Sequence, residues 1–299
     1  MTNNTVGFVG LGIMGLPMAK NLVDAGYQVI GYNRSPQSME QLEAAGGERG
    51  TSAAETAAAA DVLITCLPDS SVVTEVMEAD DGILAGIEAD SIVIDMSTIS
   101  PTVTEALAQE LATRNVAMLD APISGGEEGA IDGTLSIMVG GDADVLDSVR
   151  PMLDVMGETV THCGDNGAGQ VTKACNQIVV ANTMAAVSEA LLFAHQAGAD
   201  LEAVVAAISG GAAGCWALDN RAPTMITGDF DPGFFASYQY KDLRIAMQAG
   251  EEFGAPMPTT ASTHELYKAA VESGYGQDDN SGVLQVLEDM VDASARVDE

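Results

Sequence analysis

The sequence predicts an α/β protein, with a doubly wound, mostly parallel sheet over residues 1–164 and an all-helical domain over residues 165–299. Three observations carry this reading. Short apolar or β-branched runs alternate with helix-spaced stretches as far as residue 139; a glycine-rich loop joins the first such pair; and the alternation stops near Asp165, after which helical patterns continue. Alternating strands and helices predict a parallel sheet, because each parallel crossover needs a helix-length connection.

The first strand is the apolar run 5–10, and apolar residues at helical spacing over 14–25 predict the first helix. A strand at 27–32 and a helix at 36–45 follow. The β-branched runs 62–67 and 91–96 flank a helical pattern at 71–78; residues 102–113 read as helix, and 116–120 and 134–139 as strands. The turn 164–169 then opens a helical stretch reaching residue 197, long for a globular helix. Its apolar character predicts burial in the second domain or at a dimer interface. Turns at 210–211, 229–233, 255–258 and 274–276 divide the remainder, and the acidic residues after Leu287 are expected as a solvated helix end.

Charge excludes some functions. The chain carries 44 Asp and Glu against 11 Lys and Arg, a formal net charge of −33, yet is 47% hydrophobic. That hydrophobic content argues against disorder. The charge argues against nucleic acid or an anionic membrane as partner through a general basic face. Solubility alone accounts for such acidity; the sharper account is a salt-rich cytoplasm, where screening makes a dense like-charge shell tolerable. Only Lys20, Lys173, Lys241 and Lys268 are lysines. Residues 1–4 have no basic leader, and the apolar stretch 178–198 contains Asn182, Ser188, Glu189, His195 and Gln196, so a cytoplasmic chain without a spanning helix is expected. Cys66, Cys163, Cys175 and Cys215 lack disulfide or metal spacing, and His162, His195 and His264 are too scattered for a triad; no metal site is expected.

Gly10-Leu11-Gly12-Ile13-Met14-Gly15 is a GxGxxG between the first strand and the first helix, the context in which it binds a dinucleotide. Gly10 permits the tight turn, Gly12 lets a pyrophosphate approach the backbone, and Gly15 lets helix and strand pack closely. At the end of the second strand stand Asn33, Arg34 and Ser35 where NAD sites usually carry an acid. A neutral Asn33, a cationic Arg34 and a hydroxyl at Ser35 suit the 2′-phosphate of NADP; stacking of Arg34 on adenine in an NAD enzyme is the alternative. Leu67 and Pro68, where the third predicted strand ends, join the cofactor set.

Asp95-Met96-Ser97-Thr98 and Asp120-Ala121-Pro122-Ile123-Ser124-Gly125-Gly126 follow strand ends, where open α/β sheets bind ligands. The Ser124-Gly125-Gly126 turn offers a hydroxyl and backbone amides suited to a carboxylate. Lys173 opens the long helix with Gly169 at i−4, Asn176 at i+3 and Gln177 at i+4, which share one face. A lysine partly desolvated there could exchange a proton with a carbonyl or alkoxide oxygen.

These stretches resemble the β-hydroxyacid dehydrogenase family, which includes 3-hydroxyisobutyrate dehydrogenases and tartronate semialdehyde (2-hydroxy-3-oxopropionate) reductases. The matching segments are GFVGLGIMGLPMAKNL at 7–22, DMSTISP at 95–101, DAPISGGEEGAIDGTLSIMVGG at 120–141, GAGQVTKACNQ at 167–177 and KDL at 241–243. The resemblance implies a Rossmann domain, a helical domain, and a homodimer or homotetramer. It implies Lys173 as acid/base, Ser124, Gly125 and Gly126 on a substrate carboxylate, and Asn176 and Gln177 lining the substrate site. It further places Thr98 beside cofactor and substrate, Lys241 by the cofactor, Asp242 near the substrate and Phe234 in the cleft. Many members have two asparagines after the lysine, whereas this chain has Asn176-Gln177, as the tartronate semialdehyde reductases tend to; Gly214-Cys215-Trp216 looks more like 3-hydroxyisobutyrate dehydrogenases. Two alternatives remain at this level. One is a 6-phosphogluconate dehydrogenase-like enzyme, which usually has a histidine near its lysine and a longer C-terminal region. The other is a nucleotide-binding regulator without catalysis.

Overall fold

The computed structural model describes residues 5–297; residues 1–4, where no basic leader is read, lie outside the described residues. Among the described residues nine strands form one sheet: β1 (Thr5–Val9), β2 (Gln28–Tyr32), β3 (Glu48–Arg49), β4 (Val62–Thr65), β5 (Ile92–Asp95), β6 (Ala117–Asp120), β7 (Ile123–Ser124), β8 (Leu135–Gly140) and β9 (Gly157–Gly164). The order β3-β2-β1-β4-β5-β6 is parallel throughout. The two short strands β6 and β7 pair antiparallel with β8 in a single register, Asp120 opposite Gly140 and Ile123 opposite Ile137. Pro122 separates them because it has no N–H to give the ladder, while its carbonyl still accepts from Met138 N at 3.0 Å. β9 adds to β8 in parallel.

Helices α1 (Gly15–Asp24), α2 (Pro36–Ala44), α3 (Ala53–Ala58), α4 (Ser70–Glu78), α5 (Ile83–Gly86), α6 (Pro101–Ala112), α7 (Gly126–Asp132) and α8 (Ala143–Met156) connect the strands. Their starts follow local chemistry: Asp69 caps α4 through Val72 N, Asp142 caps α8 through Val145 N, and Pro36 and Pro101 occupy first positions where no N–H is needed. Strand alternation divides the sheet's core in two. Val6, Phe8, Val62, Ile64 and Ile94 pack with Met18 and Leu22 on one face; Val9, Leu63 and Val93 pack with Val73, Met77 and Leu107 on the other.

The second unit is helical: the long α9 (Ala168–Gln196), α10 (Leu201–Ser209), α11 (Trp216–Asn220), α12 (Ala222–Thr227), α13 (Ala236–Glu252), α14 (Pro258–Glu272) and α15 (Val283–Val291). Met184, Leu191, Leu218, Met225, Leu243, Tyr267 and Leu284 form its core, and the buried Tyr267 hydroxyl donates to Asn280 O at 2.9 Å. The described chain divides into two compact units after Lys173, inside α9. The reason is that the first turn of this helix is bonded to the sheet, as described below. α9 is long and apolar enough to cross a membrane by length and composition, but Ala181, Met184, Val187, Leu191 and Ala194 lie in the helical core. One expectation is corrected: Glu288, on α15, is not solvated but 5% exposed, with Arg296 donating to it at 2.9 Å and Ala295 N at 2.7 Å. The tail folds back because a buried carboxylate needs a cation and donors. Asp289 and Asp292 are exposed as expected.

Candidate active site

The glycine loop leaves β1 at its C-terminal end and enters α1 at Gly15. Gly10 sits at φ +100°, and a Cβ there would lie 2.3 Å from the Cys66 carbonyl oxygen, so only glycine fits this turn. Gly12 is the opposite case: a Cβ would meet no atom within 4 Å. Packing within the chain therefore does not demand a glycine at Gly12, whereas close approach by a pyrophosphate does. Among the described residues no side chain caps α1; Leu16 N donates to Gly12 O at 3.0 Å and Pro17 has no N–H, which leaves Gly15 N of the first turn for an anion. Leu11 is buried and its N–H donates to Asn33 Oδ1 at 3.3 Å, tying the loop to the end of β2; Ile13 is exposed and Met14 half-buried. Arg34 and Ser35 are exposed, and Arg34 makes no ion pair among the described residues. The loop, the uncapped helix and this cation fit a nicotinamide dinucleotide.

The ends of β4 and β5 are joined by hydrogen bonds. Leu67 N donates to Ser97 Oγ at 2.8 Å, while Ser97 N and Thr65 Oγ1 both donate to Asp95 Oδ1, at 3.1 and 2.8 Å. This holds Leu67, exposed Pro68 and half-buried Thr98 at one edge of the sheet. Asp95 is itself fully buried, and burial pushes its pKa up to about 6 against the opposing hydrogen bonds. Along β7, half-buried Ser124 precedes Gly125 at φ +144° and Gly126 at φ +67°, values that favour glycine.

Lys173 lies on α9 and is 6% exposed. Farther along α9, Asn176 Nδ2 donates to Gln177 Oε1 at 2.7 Å and Gln177 Nε2 donates to Asp242 Oδ2 at 2.5 Å. Lys241 Nζ lies 3.1 Å from Asp242 Oδ1. Four residues singled out from the sequence are thus linked within the helical unit, Asn176, Gln177 and Asp242 by hydrogen bonds and Asp242 to Lys241 by an ion pair. Phe234 does not join it; its N–H, with that of Gly233, donates to Asp279 Oδ2 at 3.2 and 3.0 Å. Arg221 donates to the other oxygen of Asp279 at 3.0 Å and stacks on the half-exposed Trp216 ring at 4.7 Å.

Sequence reasoning missed Asp279, which lies more than forty residues from the loop it holds and carries no local signal beyond an Asp-Asp-Asn turn. It also missed Gln170, although the spacing Gln170 to Lys173 marks both for the first turns of one helix. His162 bonds the Gly141 carbonyl and His264 stacks on Tyr240, and no group of three His, Cys, Asp or Glu gathers as metal ligands among the described residues.

Comparison with known proteins places the chain. Residues 5–164 match the family described as the NAD-binding domain of 6-phosphogluconate dehydrogenase, and residues 167–287 match the NAD-binding domain of NADP-dependent 3-hydroxyisobutyrate dehydrogenase. The chain is 40% identical to the 2-hydroxy-3-oxopropionate reductase of Escherichia coli over 95% of its own length and 97% of the relative's. It is 37% identical to an NAD-dependent L-serine dehydrogenase of Pseudomonas aeruginosa, covering 95% and 97%. A Mycobacterium tuberculosis 3-hydroxyisobutyrate dehydrogenase structure described with L-serine superposes with a TM-score of 0.89 at 36% identity, covering 95% of this chain and 99% of that one. The chain belongs to the β-hydroxyacid dehydrogenase family and is an NAD(P)-dependent oxidoreductase acting on hydroxy acids.

Proposed function

We propose that the chain transfers hydride reversibly between NADP(H) and a short acid bearing a hydroxyl or aldehyde on its β-carbon, with Lys173 as the acid/base. The observation that carries this reading is Lys173 itself, a nearly buried lysine in a lysine-poor chain, followed one turn later on the same helix by Asn176 and Gln177. Arg34 supports NADP over NAD: it is exposed, without an ion pair among the described residues, and neighbours a neutral Asn33 and the free hydroxyl of Ser35. The named relatives support the substrate class, since 2-hydroxy-3-oxopropionate, 3-hydroxyisobutyrate and L-serine are all short acids with oxygen on the β-carbon.

When bound, the nicotinamide supplies or accepts the hydride. In reduction the Lys173 ammonium gives its proton to the carbonyl oxygen as that oxygen gains charge; in oxidation the neutral amine takes the hydroxyl proton. The Ser124 hydroxyl and the amides of Gly125 and Gly126 hold the substrate carboxylate. Asn176 and Gln177 fix the rest of the substrate, Gln177 being itself held by Asp242, while Thr98 and Lys241 border the cofactor. A second copy of the chain is the proposed protein partner, because Val179 and Phe193 on α9 are 62% and 75% exposed.

Lys173→Ala should lower kcat by about a thousand-fold in reactions with NADPH and tartronate semialdehyde or 3-hydroxyisobutyrate with NADP, and leave NADPH affinity nearly intact. Near-native turnover by this variant would remove the proposed role. Equal efficiency with NADH and NADPH in the parent chain would remove the cofactor preference.

A further inference from the structure

Two residues outside the proposed chemistry bolt the first turn of α9 to the sheet. Asp120 ends β6 with its carboxylate buried; Oδ1 accepts from Gly167 N at 2.8 Å and Oδ2 from Gln170 N at 3.0 Å. Helix N-termini need acceptors for their free N–H groups, and a neighbouring Ser, Thr, Asp or Asn usually supplies one. Here the acceptor comes from a strand end about fifty residues away. The fit is close: a Cβ on Gly140 would lie 2.5 Å from Asp120 Oδ1, and one on Gly169 would lie 2.7 Å from Oδ2 and 2.4 Å from the Met138 carbonyl oxygen.

Gln170 makes the second tie. It is 1% exposed; its Oε1 accepts from Ile99 N at 3.1 Å and its Nε2 donates to Ser97 O at 2.8 Å, so the amide spans Thr98 on both sides. Asn166 Nδ2 adds a bond to Met118 O at 2.8 Å. Gln170 and Lys173 are three residues apart, hence on one side of the helix and about 4.5 Å along its axis.

We propose that Asp120 and Gln170 are positioning residues for the reaction: Asp120 fixes the height and rotation of the first turn of α9, and Gln170 fixes the 97–99 loop against it. Lys173 and Thr98 thereby keep one spacing, which hydride and proton transfer to a single substrate carbon and oxygen require. A helix start held by a flexible local cap would let Lys173 drift relative to the strand ends; a buried carboxylate between two glycines and a doubly bonded amide do not. The inference rests on the Lys173 reading above.

The test uses Asp120→Asn, which turns an amide NH2 towards a backbone donor, and Gln170→Met, which keeps the volume and removes both bonds. In the chain without cofactor, hydrogen exchange should speed up at amides 167–173 for the first variant and at 97–99 for the second. With NADPH and tartronate semialdehyde, each should lower kcat by at least about ten-fold, leave the NADPH dissociation constant roughly unchanged, and raise the isotope effect from deuterated NADPH on kcat. Native kcat and isotope effect in a folded variant that has lost exchange protection would overturn the proposal. So would parallel losses of kcat, NADPH affinity and thermal stability, which mark a merely structural role. If Asp120→Asn does not fold, Gln170→Met decides by the same readings. Lys173→Ala, run alongside, separates the two levels: its near-native turnover sinks the acid/base reading, while its inactivity together with native Gln170→Met kinetics sinks only the positioning role.

Discussion

Asp95 carries a conflict between burial and charge into the heart of the sheet edge. Its Oδ1 accepts from Thr65 and Ser97, but Oδ2 has no hydrogen-bond partner among the described residues. The unfolded chain releases this proton near pH 3.8, and the folded chain holds it to about 6. Between those values the folded state binds more protons, so stability falls as pH rises through the window. Above it, Asp95 costs the fold up to about 3 kcal/mol. Asp95→Asn should keep both bonds at the shared oxygen and remove the charge. Its stability relative to the parent chain, measured by urea unfolding, should therefore rise by roughly 2–3 kcal/mol from about pH 4 to about pH 7. A gap that does not change with pH would show that this carboxyl is not coupled to folding. Asp95 also shows how far single residues were legible. Asp95 and Asp120 stand out in the sequence at strand ends, where ligands bind, yet both carboxylates point inward and organise loops instead. A strand end reveals position along the sheet, while the inward turn depends on donors that arrive from β4 and from the start of α9.

At the scale of elements, the β1–α1 loop separates two uses of glycine that sequence alone merges into one motif. Gly10 answers to the protein, since its φ and the Cys66 carbonyl leave no room for a side chain; Gly12 does not, since the space beside it is open, and its expected partner is the cofactor. Gly10→Ala should lower stability by roughly 2 kcal/mol or more. Gly12→Val should leave the thermal midpoint unchanged and raise the KM for the cofactor by at least about ten-fold. A destabilised Gly12→Val with native KM would reverse that assignment. The same scale explains which elements were readable. β1, β4 and β5 are buried on both faces and appear as continuous apolar runs. β9, Gly-Glu-Thr-Val-Thr-His-Cys-Gly, pairs only with β8 and is largely exposed, so it carries no apolar run to betray it. α8, which the sequence reading does not place, carries a proline at its ninth residue, Pro151, a usual helix breaker, and is nonetheless continuous. The anchoring of the first turn of α9 is hidden for a related reason: the carboxylate that caps it, Asp120, lies about fifty residues away.

Over the whole molecule, the charge of −33 confronts an anionic cofactor and an anionic substrate. Repulsion from the acid shell is long-ranged, summed over carboxylates scattered across the surface. Attraction at the cofactor end comes from few groups: exposed Arg34 and the uncapped N-terminus of α1. The two respond differently to salt, because the screening length is about 30 Å at 0.01 M and about 3 Å at 1 M. Adding salt from a low value first silences the distant carboxylates, while contacts at hydrogen-bond distance keep most of their strength. The KM for NADPH should therefore fall several-fold as KCl rises from about 10 mM towards about 1 M. Arg34→Ala should raise KM at every salt concentration without removing the fall, because the shell is unchanged. Circular dichroism across the same series checks that the fold is intact. A KM that climbs from the lowest salt in a folded chain would mean that contact cations outweigh the shell even at long screening lengths. Loss of the salt response in Arg34→Ala would then name Arg34 as the cation responsible.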